Sequence, residues 1–204
     1  MCIRDRDFEN TACLMRAEVQ ALVKAQSPGI SRILDMGFHQ GDAFLVLELV
    51  EGQPTDRVIR SLREKKAGGL SSGSVHAAIG FGRKAYHEDL IGDGDYYGAV
   101  VRIICSLLLT VEAIHSSNVR HRDIKPANVL LCAGGRPVLL DFGLATQLGF
   151  TREELSGTLV YMAPEQIKKQ RSGEDHRADL YQVGLLMFEF LTLRPAFELS
   201  LIHI

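Results

Sequence analysis

The stretch HRDIKPANVLL, residues 121–131, brings together side chains of complementary chemical type. Asp123 supplies a carboxylate, Lys125 an ammonium group and Asn128 a neutral amide, and a second carboxylate, Asp141, follows a short apolar run. Carboxylate and amide oxygens are the hard ligands that Mg²⁺ prefers. Taken alone, Asp123 or Asp141 is better explained as a helix cap or a turn carboxylate. The neighbouring motifs must therefore decide between chemistry and plain structure.

Four short motifs occur along the chain in a definite order. They are HRDIKPAN at 121–128, DFG at 141–143, APE at 163–165 and DLYQVG at 179–184. A lone DFG is weak evidence, whereas an HRDxKxxN loop after a long apolar helix, followed by DFG after a short strand, is specific. In this combination the chain resembles the eukaryotic-type serine/threonine protein kinases, especially bacterial ones.

The resemblance implies catalytic roles for four residues of the motifs and one further residue. Phosphoryl transfer depends on positioning and charge neutralisation more than on covalent help. Asp123 would accept or orient the proton of the substrate hydroxyl, and Lys125 would neutralise charge on the transferring γ-phosphoryl group. Asn128 and Asp141 would bind Mg²⁺, and Asp141 would link the metal to the phosphates of ATP. Thr158 would support the catalytic residues by hydrogen bonding.

The resemblance also places the nucleotide. Glu18 lies where the ion-pairing glutamate of the family's αC helix belongs. The segment FLVLELVEG matches the last small-lobe strand and the hinge. Leu47 is then the gatekeeper, the backbone of Glu48 and Val50 would hydrogen-bond adenine, and Leu130 would lie under the adenine ring. ATP and Mg²⁺ are the expected cofactors.

An apolar column is expected to link the two lobes. Leu22, Ile33, His121 and Phe142 match its members, and Asp179 would anchor it from the helix that resembles αF. For Leu22 and Ile33 plain core packing is an equally true description, because the family role is itself a packing role.

Regulation through the activation segment is a further implication. Arg122 matches the arginine that pairs with a phosphate on that segment in related kinases. The usual phosphosite falls on Glu154, whose carboxylate would replace the phosphate in part. Ser156 and Thr151 are alternative phosphosites. A solvated acidic loop explains Glu154 equally well.

The substrate class follows from two features. Lys125 is typical of serine/threonine kinases, whereas tyrosine kinases usually carry arginine in this loop. GTLVYMAPEQ, residues 157–166, resembles a protein-substrate-binding segment, which small-molecule phosphotransferases of related fold usually lack. A non-catalytic kinase-like binding or scaffold module remains the alternative, although the intact catalytic residues argue against it.

Composition excludes several other classes. The chain has 204 residues, a formal net charge of −2 and four cysteines without disulfide or zinc spacing. The chain has no excess of basic residues that would indicate nucleic-acid binding. We also expect that no apolar run is long enough to span a bilayer. A reducing, cytoplasmic location is the default for such cysteine usage.

The periodicity predicts an α+β fold. The patterns indicate a helix over 9–26, two strands joined by HQGD, a helix from Thr55 to Arg63 and a long one from Tyr96 to Ser116. Residues 179–193 are apolar on nearly every face, which predicts a helix buried all round.

The resemblance covers part of a kinase domain. No glycine-rich loop or strand lysine precedes Glu18, so this chain is expected to be a nearly inactive internal fragment of an active kinase. One inverted DNA segment can encode both MCIRDR and LSLIHI, which suggests adapter scars at the ends.

The predicted fold is a truncated two-lobe kinase, with αC and two strands of the small lobe and most of a helical large lobe to αF. The predicted divisions are scars at 1–6 and 199–204, a partial kinase domain at 7–198, its small lobe at 7–50, its large lobe at 51–198 and an insertion at 68–95. This insertion, or long loop, is predicted to contain a short helix around Val75–Ile79.

Overall fold

The computed structural model describes residues 19–25, 27–39, 42–65, 69–80, 89–140, 159–167 and 176–197. Within these ranges the chain forms a two-stranded hairpin, a three-stranded sheet and a larger set of helices. This mixed, mostly helical architecture confirms the predicted α+β, kinase-like fold.

The first described elements belong to the predicted small lobe. Residues 19–24 form a helical turn, α1, which lies at the end of the helix expected over 9–26. Strands β1 (Ile33–His39) and β2 (Asp42–Leu47) pair antiparallel, in register from Ile33 opposite Leu47 to His39 opposite Asp42. The predicted hairpin is therefore confirmed, although the second strand ends at Leu47 and leaves residues 48–50 as an extended connection, called here the hinge segment.

A short sheet supports the loop that carries the motif HRDIKPAN, residues 121–128. Strands β3 (Gln53–Pro54), β4 (Val129–Leu131) and β5 (Pro137–Leu139) pair antiparallel in that order. Helix α2 (Thr55–Lys65) follows β3 directly. Its first residue, Thr55, is buried and its hydroxyl donates to the carbonyl of Val129 at 2.7 Å, which ties α2 to β4.

The segment 68–95 was predicted to be an insertion or long loop with a short helix. Its described residues contain α3 (Ser72–Ile79), which begins with a capping box between Ser71 and Ser74. The helix ends at Gly80 in the left-handed conformation, φ 79°. Val75, Ile79 and Ile91 are fully buried in the main core. The described parts of this segment therefore belong to the packed fold.

The long helix α4 (Tyr96–Ser116) has the predicted bounds. Asp95 caps it by accepting from the backbone N–H of Gly98 at 2.7 Å. By length and composition α4 is the one described helix that meets the criteria for a membrane span, so the expectation that no run is long enough was wrong. It nevertheless packs against α3, β5 and the last described helix, as the core helix of a folded domain does.

Helices α5 (Pro164–Ile167) and α6 (Arg177–Thr192) complete the described fold. The prediction that α6 is buried all round was wrong. Its buried residues recur at helical spacing on one face, while Leu180 and Phe188 on other faces are 44% and 46% exposed. The described elements cover only the face of α6 that packs on α4 and on the loop of residues 121–128.

Candidate active site

The catalytic loop, residues 121–128, connects α4 to β4 and is hydrogen-bonded to α6. The side chain of Asp179, in the first turn of α6, is 1% exposed. Its carboxylate accepts from the backbone N–H of His121 at 2.9 Å and of Arg122 at 2.7 Å. Arg122 has φ 66°, in the left-handed region that side-chain-bearing residues rarely adopt. Asp179 thus stabilises the strained backbone of Arg122 and holds the backbone of His121, a member of the apolar column that Asp179 is predicted to anchor.

A histidine of α4 completes the surroundings of Asp179. His115 Nε2 lies 2.7 Å from Oδ2 of Asp179, and the His115 ring makes an edge-on contact with the ring of His176. Three donors therefore surround one buried carboxylate, which offsets its desolvation. Sequence reasoning did not predict His115, because its partner is 64 positions away.

The three predicted catalytic side chains of the loop lie together. Lys125 Nζ contacts Asp123 Oδ2 at 2.7 Å. Asn128 Nδ2 donates to the backbone oxygen and to Oδ2 of Asp123, both at 2.9 Å. Asp123 Oδ1 is buried and has no hydrogen-bond partner among the described residues. One carboxylate oxygen is thus fixed by two donors, whereas the other has no partner among the described residues.

The same contacts test whether Asn128 suits a metal. Its amide nitrogen is committed to Asp123, so its other branch, Oδ1, is an oxygen of the type that Mg²⁺ binds. The donor type fits the expected role. Within the described ranges no group of three or more His, Cys, Asp or Glu side chains forms a metal cluster.

His121 connects the catalytic loop to the end of β5. Its side chain is fully buried, and Nε2 lies 2.9 Å from the carbonyl oxygen of Leu140. Because a carbonyl only accepts, Nε2 carries the proton. The backbone N–H of Leu140 donates in turn to the carbonyl of Asn128 at 2.9 Å. The residue immediately before Asp141 is therefore fixed against both ends of the catalytic loop.

The predicted adenine side is partly assembled. Leu130 packs with Cys132 and Val138, and Val50 of the hinge segment and Leu140 pack against this cluster. Burial raises the pKa of the Cys132 thiol. The predicted floor residue Leu130 and hinge residue Val50 thus share one apolar cluster.

The other hinge predictions have mixed surroundings. The side chains of Leu47 and Glu48 are exposed, and the carbonyl of Glu48 already accepts from the Ser31 hydroxyl at 3.3 Å. A carbonyl has two lone pairs, so this contact leaves capacity for a second donor. A cavity of about 680 Å³ is lined in part by Glu48, Val50 and Cys132. The hinge segment therefore borders open space large enough for a small ligand.

The column and regulatory predictions are covered only in part. Leu22 is buried in the main core, and Ile33 packs against that core. Arg122 lies in the catalytic loop, as described above. The remaining predicted residues lie outside the described residues, namely Glu18, Asp141, Phe142, Thr151, Glu154, Ser156 and Thr158.

Two glutamines at the site were not predicted. Gln182 of α6 and Gln166 of α5 both donate to the carbonyl of Arg122, at 3.0 and 2.9 Å. The available signal was weak: Gln182 is an uncharged polar residue within the largely apolar stretch 180–188 of α6. A buried amide in such a place needs hydrogen-bond partners, but the sequence does not say which.

Comparison with known proteins agrees with this geometry. The family model "Protein kinase domain" matches residues 2–202. The chain belongs to the protein kinase domain family.

The relatives that it resembles include bacterial and eukaryotic kinases. A probable serine/threonine-protein kinase of Streptomyces coelicolor is 29% identical over 204 residues, covering 95% of this chain and 25% of the relative. A probable serine/threonine-protein kinase of Lactococcus lactis, named PknB, is 26% identical over 94% of this chain and 27% of its own length. An Aurora kinase of Dictyostelium discoideum is 45% identical over 84 residues, 41% of this chain and 21% of the relative. The chain thus spans about a quarter of the length of these curated relatives.

Proposed function

We propose that the protein carrying this chain transfers the γ-phosphoryl group of ATP to serine or threonine hydroxyls of protein substrates. The observation that carries the proposal is the state of Asp123. One of its carboxylate oxygens is held by Lys125 and Asn128, and the other is buried without a partner among the described residues. Such an oxygen fits a group that receives the proton of a bound hydroxyl.

Each residue of the loop then has a definite task. ATP would supply the γ-phosphoryl group and leave as ADP, and bound Mg²⁺ would neutralise charge on the phosphates. Asn128 Oδ1 and Asp141 would be the ligands of the metal. Asp123 Oδ1 orients the substrate hydroxyl and takes its proton. Lys125, held 2.7 Å from Asp123 Oδ2, places a positive charge where negative charge accumulates during transfer. The anchored backbone of Arg122 keeps these groups in place.

The serine/threonine preference and the protein substrate rest on two features. Lys125 follows Asp123 by two positions, as is typical of serine/threonine kinases, and the relatives reported above are named as kinases of that class. The segment ending in Ala163–Glu165 lies beside the catalytic loop through Gln166. Its position supports a role in holding a peptide next to Asp123.

The direct test uses the longer protein encoded by the source gene. Transfer of labelled phosphate from ATP to a generic serine/threonine protein substrate is measured with and without Mg²⁺. Asp123→Asn should lower kcat by about 10²- to 10⁴-fold, the usual contribution of a positioned acid or base. Glu112→Gln, the same chemical change at an exposed residue of α4, is the matched control and should leave activity unchanged. Equal activity of the Asp123→Asn and wild-type proteins would contradict the proposal.

For the chain as given we propose little or no transfer activity. The sequence before Glu18 contains no glycine-rich loop and no lysine in a strand context. These elements position the phosphates and stabilise charge, and each is worth orders of magnitude in rate. Mg²⁺-dependent phosphorylation by the purified 204-residue chain would contradict this statement. An inactive longer protein that still binds the protein substrate would instead favour the kinase-like binding module.

We also propose a reducing, cytoplasmic site of action. ATP is the expected substrate, and Cys105 and Cys132, the two cysteines within the described ranges, are free thiols. Fractionation of cells that produce the longer protein tests this location. Recovery of its kinase domain from an extracytoplasmic fraction would contradict it.

A further inference from the structure

Gln182 forms hydrogen bonds on both sides of Asp123. It lies in α6, is fully buried, and accepts from the backbone N–H of Ile124 at 2.8 Å. Its amide nitrogen donates to the carbonyl of Arg122 at 3.0 Å. The two residues that flank Asp123 in sequence are therefore held by one side chain.

Gln166 extends this contact to Ala163, the first residue of the APE motif. Its Nε2 donates to the carbonyl of Arg122 at 2.9 Å. Its Oε1 accepts from the backbone N–H of Ala163 at 2.9 Å and from Gln182 Nε2 at 3.1 Å. A continuous hydrogen-bonded path thus runs from α6 through both amides to Ala163.

The orientation of both amides is fixed by their partners. The N–H groups of Ile124 and Ala163 only donate, so each must face an amide oxygen. The carbonyl of Arg122 only accepts, so it must face amide nitrogen. With both oxygens and both nitrogens assigned in this way, neither glutamine can rotate by half a turn without opposing like groups.

The need for this clamp lies in the backbone of Arg122. Its left-handed conformation persists only where the surroundings fix it. Asp179 holds the N–H of Arg122, and the two glutamines hold its carbonyl. The peptide groups on either side of Arg122 are therefore restrained from independent elements.

We infer that Gln182 and Gln166 are positioning residues that set the orientation of Asp123 and couple it to the substrate-binding segment at Ala163. The inference rests on the proposed function for its catalytic meaning, whereas the restraint on the loop is a property of this chain alone. The glutamines act through the backbone of Arg122 and Ile124 and touch no reacting atom.

The first experiment measures amide hydrogen exchange in the 204-residue chain. Gln182→Glu keeps the shape of the side chain and removes both N–H donors, which sets an oxygen against the carbonyl of Arg122. Exchange in residues 121–125 should accelerate at least tenfold, while exchange in the middle of α4 stays within twofold. Gln20→Glu, at an exposed helical position, should change neither. If Gln182→Glu fails to fold, Gln182→Met is measured in its place, because it removes the donor to the carbonyl of Arg122 and the acceptor for the N–H of Ile124 without adding a charge.

The second experiment measures kinetics in the longer protein from the source gene. A positioning role predicts that Gln182→Met and Gln166→Met each lower kcat at least tenfold with the KM for ATP within twofold. The double variant should lose little more than either single variant, because both act on one carbonyl. A merely structural role would lower thermal stability and leave kcat of the folded enzyme intact.

The two experiments separate failure of this inference from failure of the proposed function. Unchanged exchange at 121–125 in the glutamine variants overturns the restraint, whatever the enzyme does. Accelerated exchange together with an unchanged kcat in an active kinase overturns the positioning role. Accelerated exchange in a protein whose wild type lacks kinase activity supports the restraint on the loop and overturns the proposed function instead.

Discussion

The buried carboxylate of Asp179 gives the sharpest quantitative prediction. It accepts three hydrogen bonds, from the backbone of His121 and Arg122 and from His115 Nε2, at 2.7–2.9 Å. Asp179→Asn keeps one oxygen and replaces the other by a donor. Even if the oxygen faces His115 and His121, the N–H of Arg122 then opposes an NH₂ group.

The cost follows from that single mismatch. A hydrogen bond to a charged group contributes about 1.5–3 kcal/mol, and a buried donor left without a partner costs about 1–3 kcal/mol. Since these terms overlap, we expect Asp179→Asn to lower the free energy of unfolding by about 2–4 kcal/mol. Asp179→Ala should cost more, because all three donors lose their acceptor.

Urea unfolding of the 204-residue chain, followed by far-ultraviolet circular dichroism, measures this effect. With an m-value of about 2 kcal/mol/M, the midpoint should fall by roughly 1–2 M. Asp35→Asn is the control, because the Asp35 carboxylate is exposed and, within the described ranges, accepts only from the N–H of the next residue. A midpoint for Asp179→Asn that equals that of the control would refute the reasoning, since the unpaired N–H of Arg122 and the lost charge would then cost nothing.

Three further predictions address α2, the thiols and the activation segment. Thr55→Val should lower the free energy of unfolding by about 1–3 kcal/mol, since the carbonyl of Val129 loses its buried donor; a loss too small to measure in urea unfolding would contradict this. Cys132 should be alkylated by iodoacetamide far more slowly than Cys105 at pH 8, because burial raises the pKa of the Cys132 thiol and lowers its thiolate fraction at any given pH. Mass spectrometry of the labelled peptides measures both rates, and equal rates would contradict this prediction. In the longer, active protein, Glu154→Ala should lower kinase activity and Glu154→Asp should lower it less, since a carboxylate there replaces a phosphate in part; equal activity of all three proteins would leave Glu154 as a solvated loop residue.

Local patterns were sufficient to predict several elements of the fold. The hairpin of β1 and β2 was predictable because two apolar segments flank a short polar turn. The bounds of α4 were predictable because Asp95 caps a long, largely apolar segment that ends before the polar residues Ser116 and Ser117. These signals lie within a few residues of the structure that they specify.

Predictions failed where burial depends on distant parts of the chain. The apolar face of α6 that carries Phe188 looked like core, yet the described elements do not cover it. A short helix around Val75–Ile79 was predicted within the segment 68–95, but its burial in the main core was not, because glycine and serine surround these few apolar residues. Composition alone does not reveal which surface a neighbouring helix will cover.

The candidate site divides in the same way. Asp123, Lys125 and Asn128 were predictable because they lie within one short motif and meet through local contacts. Gln182 was not predictable, since it contacts Ile124 from 58 positions away. The motif thus identifies the groups that carry the chemistry, but it does not identify the residues that hold them.

The hydrogen bonds described for the catalytic loop have one structural consequence. They come from α5, α6 and the residue that follows β5, through Gln166, Asp179, Gln182 and Leu140. Among these bonds none comes from β1 or β2. The hydrogen bonds described on either side of Asp123 therefore link its backbone to α5 and α6. It follows that a variant of the hairpin should change the binding of ATP without changing hydrogen exchange in the catalytic loop, whereas a variant of α6 should change the loop directly.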